Sequence, residues 1–127
     1  MKYVMWLLLL CSALAHAEVA APTTGVELLN HCQVYTQISP MPWGYKVLDS
    51  NTSVTLCLSY MNDLIIQPAA GLEQKARGYC LPKDITADQL AAIFVTYAGQ
   101  YPQSLQQKTD SAVSELLGKA LPCKGKP

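Results

Sequence analysis

Residues Gly78–Pro102 read GYCLPKDITADQLAAIFVTYAGQYP, and the fold turns on how this stretch is read. Cys80 and Pro82 lead into Thr86-Ala87-Asp88-Gln89, a capping box. In it the Thr86 hydroxyl accepts from the Gln89 amide while the Gln89 side chain reaches back. Leu90, Ile93, Phe94 and Tyr97 then fall at i, i+3, i+4 and i+7, one buried stripe of an amphipathic helix. Gly99 and Pro102 supply the stop.

Helical patterns extend outward on both sides. Downstream, Tyr101 to Lys108 reads as a polar loop rich in glutamine, and Asp110 caps a further helix with Val113, Leu116, Leu117, Ala120 and Leu121 inward. Upstream, Val54, Cys57, Leu58, Met61 and Ile65 mark one face of a helix from Thr52 to Gln67, with Leu56, Tyr60 and Leu64 beside it. So broad an apolar arc predicts the central helix of the bundle. Ala69 to Gly78 predicts a weaker helical turn. Thr24-Gly25-Val26-Glu27 is a second capping box, opening a helix to about Thr36 behind a loose leader, Glu18 to Thr23. Between Gln37 and Asn51, Pro40, Pro42 and Gly44 mark a long loop with Trp43 and Tyr45. Packing over the core is the favoured role for this tryptophan, a binding surface the alternative. No pair of runs reads as a strand hairpin. The predicted fold is all-α, a small bundle of four to five helices.

The chain of 127 residues has room for one domain. Met1-Lys2, the apolar run Tyr3–Leu14 and Ala15-His16-Ala17 have the form of a cleavable signal peptide, residues 1–17, leaving 18–127 as the domain. The apolar run is shorter than the roughly 20 residues a spanning helix needs, so no stable membrane anchor is expected. Lipidation at Cys11 is disfavoured because only leucines, Leu7–Leu10, precede it. Nine basic residues balance nine acidic ones, and losing Lys2 tips the mature chain to a slight acidic excess. That excludes a basic field for nucleic acid.

Of five cysteines, Cys11 leaves with the signal, and Cys32, Cys57, Cys80 and Cys123 remain. An even count in a small exported chain reads as two disulfides. The wide spacings, with no CxxC and no histidine pair, argue against zinc. Four cysteines allow three pairings, which sequence alone does not separate. If the last two helices run antiparallel, Cys80 comes towards Cys123. Cys32, late in the first helix, is then left to meet Cys57, early in the second.

Catalytic chemistry finds no constellation. His31, the one histidine of the mature chain, precedes a disulfide cysteine on a helix and reads as a surface or packing residue. Asp84 and Asp88 lie where carboxylates stabilise a helix N-terminus. No phosphate loop, metal cluster or cofactor motif is present, and no enzyme activity is expected. Asn51-Thr52-Ser53 matches a glycosylation acceptor, which carries no meaning in a bacterial host.

The order Leu28-Leu29, Cys32, Cys57-Leu58-Ser59-Tyr60-Met61 and Gly78-Tyr79-Cys80-Leu81-Pro82 resembles the Rap/Tai type of periplasmic immunity protein. The likeness continues through Ile85-Thr86-Ala87-Asp88-Gln89-Leu90, Tyr97, Tyr101-Pro102 and Ala120-Leu121-Pro122-Cys123. Asn62 stands where the family usually has a small residue. Gln103-Ser104-Leu105 stands where it tends to carry a histidine and an acid. The resemblance implies an exported α-helical protein of the periplasm, often a homodimer, that blocks a peptidoglycan amidase effector of type VI secretion. The implied mechanism is steric, a protruding loop plugging the enzyme's cleft. The corresponding tip here is Gly99–Lys108, with Tyr101, Pro102, Gln103, Ser104 and Leu105 as expected partner-binding residues and Tyr101 and Leu105 as anchors. The alternative is a small periplasmic stress or chaperone-like helical protein working through exposed apolar surface.

Overall fold

The computed structural model describes residues 20–40, 51–67 and 77–124. The segment expected to be a signal peptide, the loop with Trp43 and Tyr45, and most of the helical turn expected from Ala69 lie outside them. Among the described residues there are four α-helices: α1 (Gly25–Ile38), α2 (Thr52–Ile66), α3 (Ala87–Gln100) and α4 (Thr109–Ala120). A 3-10 helix, Pro102–Gln106, links α3 to α4. The only extended pairing among them is a single antiparallel bridge between Thr24 and Lys108. The all-α bundle expected from the sequence is the observed fold.

Local chemistry sets the helix starts. Thr86 Oγ1 accepts from the Gln89 amide at 3.2 Å and Gln89 Oε1 accepts from the Thr86 amide at 3.1 Å, a complete capping box. At α1 only half of the box forms. Thr24 Oγ1 accepts from the Glu27 amide at 3.2 Å, but the Glu27 carboxylate reaches one residue further back, to Thr23 N at 2.7 Å and Thr23 Oγ1 at 3.1 Å. Asn51 caps α2, accepting from the Val54 amide at 3.2 Å. Asp110 does not cap α4. The flanking residue is Lys108, without a side-chain bond, and the Thr109 amide donates instead to Thr23 O at 3.2 Å. Backbone pairing with the leader does the work of a cap, so Pro22–Thr24 is held in place and the loose leader expected there is not found.

The helix end at α3 also differs from expectation. The helix runs through the exposed Gly99 to Gln100, and Tyr101 N–H still donates to Tyr97 O at 2.9 Å. Pro102 makes the stop, because it offers no amide and disfavours helical backbone at the residue before it. The predicted polar loop after it is the 3-10 helix, with Ser104 and Leu105 buried.

The core centres on α1. Leu28, Cys32 and Tyr35 are buried, and α1 packs against α2, α3, α4 and the 3-10 helix. The central position expected for α2 is therefore wrong. Its buried side chains are Val54, Cys57 and Met61, while Leu58, Leu64 and Ile65 are half-buried and Ile66 is 68% exposed. Apolar composition overstated its coverage. On α3 the buried set is Leu90, Ala91, Phe94 and Ala98, with Ile93 and Tyr97 at the margin. The stripe is rotated towards two alanines, whose small side chains let neighbouring helices approach closely.

Both disulfides join the expected pairs. Cys32–Cys57 links α1 to α2 with Cα atoms 5.0 Å apart, and Cys80–Cys123 closes the C-terminal part with Cα atoms 4.7 Å apart. Lys119, in the last turn of α4, lies with Nζ 4.5 Å from the ring centroid of Tyr101, at the end of α3. Cys80 reaches Cys123 because the segment before α3 lies along α4: Cys80 N–H donates to Leu121 O at 2.9 Å. Gly78 adopts a left-handed backbone (φ 84°), and a Cβ on Gly118 would lie 2.9 Å from Gly78 O. Gly118 is required by that approach and Gly78 by its backbone conformation.

A Cβ built on Gly25 would sit 2.6 Å from Ala112 Cβ and 2.9 Å from Leu105 O. Gly25→Ala is therefore expected to destabilise the fold by about 1–3 kcal/mol in urea denaturation. Helix propensity alone predicts the opposite, a gain of about 1 kcal/mol. The Cys80–Cys123 bond spans 43 residues, so the double variant C80A/C123A should lose about 4 kcal/mol. A loss below about 1 kcal/mol in the same denaturation would show that the Gly78–Gly118 contact alone holds the segment.

Candidate functional site

The expected partner-binding residues lie together at the end of α3, but they divide into a surface and a support. Pro102 and Gln103 are exposed and Tyr101 is half-buried, whereas Ser104 and Leu105 are 1% and 5% exposed. Leu105 belongs to the buried core and its backbone lies against Gly25 in the first turn of α1, so it supports the tip from beneath. Sequence polarity hid this, because one leucine among glutamines gives no helical period to read. Ser104 Oγ is buried without a hydrogen-bond partner in the structure.

Tyr101 is fixed on two sides. Its ring lies 6.5 Å from that of Tyr97 at an interplanar angle of 19°, and the Lys119 ammonium covers it. Aromatic pairing and a cation over the ring contribute about 0.5–1 kcal/mol each at a partly exposed position. Gln107 ties the following turn to α4, its Nε2 donating to Ser104 O at 3.2 Å and to the Glu115 carboxylate. The segment is rigid, with short spacing between anchored points. From Gln89 to Thr109 the sequence holds no acid and one charged residue, Lys108, and the nearby acid is Glu115, engaged by Gln107. With Lys119 close by, the end of α3 presents aromatic, amide and cationic groups.

His31 and the two N-terminal aspartates sit apart from this end. His31 Nδ1 lies 3.1 Å from Ser53 Oγ across the α1–α2 contact, next to the Cys32–Cys57 bridge. A serine and a histidine in contact invite a catalytic reading, which needs a third group to orient the imidazole. Glu27, one turn away, has its carboxylate bonded to Thr23, and those bonds hold its pKa below the usual carboxylate value. Asp88 sits in the first turn of α3 and faces Tyr35. Burial, and then the charge of Asp88, raises the Tyr35 phenol.

A second feature was not legible in the sequence. Tyr60 on α2 donates to Asp110 on α4 at 2.6 Å, and Arg77 stands over the ring of buried Tyr79 with its carbon 5.4 Å from the centroid. Arg77 Nη1 also donates to Leu64 O at 3.1 Å, satisfying a carbonyl in the last turn of α2. Burial, followed by the bond to Asp110 and its charge, raises the Tyr60 phenol strongly. These residues frame a polar cleft. They come from three separate stretches of the chain, around residues 60–64, 77–79 and 110, so only the packing brings them together.

A family model for Rap1a immunity proteins matches residues 24–123, from the Thr24 cap to the second cysteine of the last disulfide. Neither the comparison with curated proteins nor that with solved structures gives a match. No helix among the described residues is long and apolar enough to cross a membrane. With the family match spanning all four helices and both bridges, the chain belongs to the Rap1a immunity protein family.

Proposed function

We propose that this chain is a periplasmic immunity protein that binds a peptidoglycan amidase effector of type VI secretion and blocks its cleft without catalysing a reaction. Family membership over residues 24–123 carries the reading, since immunity implies a partner effector to be neutralised. The amidase, the secretion route and the periplasmic site are the finer part of the proposal, and a homodimer is consistent with it. The signal-like segment 1–17 and a paired set of cysteines suit an oxidising, exported location.

The contact surface in this proposal is Tyr101, Pro102 and Gln103, held up by Ser104 and Leu105. A rigid surface has its ordering cost met before the partner arrives, so more contact energy appears as affinity. Tyrosine is a frequent hot-spot residue, and Lys119 and Lys108 favour a partner whose cleft rim is acidic.

The test is co-expression with a candidate amidase, co-purification, and assay of cell-wall cleavage by the complex. Gln103→Glu, at an exposed position, sets a like charge against an acidic rim and is expected to weaken binding at least about tenfold, or about 1.4 kcal/mol, with stability changed by less than about 0.5 kcal/mol. Tyr101→Ala should lower both affinity and stability, because it also removes the ring that Tyr97 and Lys119 contact. If no amidase binds, and the chain instead suppresses aggregation of acid-unfolded proteins, the immunity reading is replaced by a chaperone-like one.

A further inference from the structure

We propose that the cleft framed by α2, α4 and the Arg77–Tyr79 segment is a binding site for a small basic amino acid, its carboxylate on Arg77 and its ammonium groups on Asp63 and Asp110. The cleft has a volume of about 330 Å³ and is lined by Tyr60, Asp63, Arg77, Tyr79, Asp110 and Ser114 among others. That is at the small end of ligand pockets, the size of an amino acid with an extended side chain.

Its charged groups are already positioned. The Arg77 guanidinium is pinned by Leu64 O and by the Tyr79 ring, and it carries five N–H donors in a planar fork, most of which remain for a carboxylate. Asp110 is held by the Tyr60 hydroxyl, which bonds one oxygen and leaves the other to accept. Asp63, one helical turn beyond Tyr60 on α2, is exposed at the cleft mouth. Tyr60, Leu64, Tyr79 and Val113 supply an apolar wall for a methylene chain. One cation and two carboxylates give the cleft a net charge of minus one. A ligand with one carboxylate and two ammonium groups matches that charge and offers a partner to each of the three groups. A fatty acid would leave both aspartates unpaired, and a simple dicarboxylate would meet them with like charge.

None of the cleft-lining residues belongs to the Tyr101–Gln103 surface, so the two proposals stand or fall separately.

Isothermal titration of the folded, disulfide-bonded protein with L-lysine tests the site, with lysine methyl ester and Nα-acetyl-lysine as comparisons. Saturable binding of lysine in the millimolar range is expected, with each derivative at least tenfold weaker. Arg77→Gln should remove the preference for the free acid over the ester. Because Arg77 also bonds Leu64 O and could be needed for folding, Asp110→Asn provides a second variant. It keeps an acceptor for the Tyr60 hydroxyl while removing the charge, and lysine should bind it at least tenfold more weakly. The proposal is overturned by the absence of saturable binding, by an ester that binds as tightly as the acid, or by unchanged affinity in folded Asp110→Asn.

Discussion

The close seat of α1's first turn is the constraint on which the rest of this structure depends. At Gly25 there is no room for a side chain, because Leu105 O and Ala112 Cβ occupy the space. The backbone on either side of that contact is paired: Gly25 N–H donates to Gln107 O at 3.1 Å and Thr109 Oγ1 donates to Pro22 O at 2.8 Å. One small residue therefore joins the leader, the 3-10 helix and the start of α4 to the helix that touches every other element. Leu105 is buried as a consequence, and the exposed residues before it gain a firm base. Position 25 looks like a weak helix start by propensity, but its cost of up to about 1 kcal/mol is offset by the packing that a glycine permits.

The disulfides act on a different problem. A domain of this size has a modest core, and its described interior is built from single layers of side chains on short helices. Cys32–Cys57 joins the central helix to its more exposed neighbour α2, and Cys80–Cys123 fixes the segment that enters α3 against the end of α4. Restricting the unfolded chain is worth about 3.5 and about 4 kcal/mol for the two loops in the chain-entropy account. Those sums are comparable with the whole stability of a small domain, about 5–15 kcal/mol. The end of α3 is held instead by the close Gly25 contact and by the bonds of Gln107.

Rigidity is also what connects the fold to immunity. A protein that works by occupying a cleft gains nothing from motion at its contact surface, since each side chain ordered on binding subtracts from affinity. Tyr101 is held between a second ring and an ammonium group, and the chain after it is tied to α4 through Gln107. The tip is a corner of the bundle rather than an arm extending from it. Its residues are distinct from those that line the charged cleft at Arg77, so the two proposals concern separate surfaces.

Local features of the chain were legible from residues alone. The caps at Thr24 and Thr86, the all-helical period, the even cysteine set and the family order of CLSYM, GYCLP and LPC depend on neighbours a few positions apart, where hydrogen-bond geometry and spacing leave few choices. The cysteine pairs are the ones towards which the antiparallel reading leaned. Relations between elements were not legible. That α1 and not α2 is central, that Asp110 answers Tyr60 in place of capping α4, and that Leu105 supports the tip from beneath are settled by packing. Burial depends on which face a neighbouring helix covers, and a backbone bridge can substitute for a cap. Neither is encoded within one helix. The sequence by itself determined the helices, the set of cysteines available for bridges and the family; the tertiary structure alone decided which side chains meet, because those contacts join residues that only the folded chain makes neighbours.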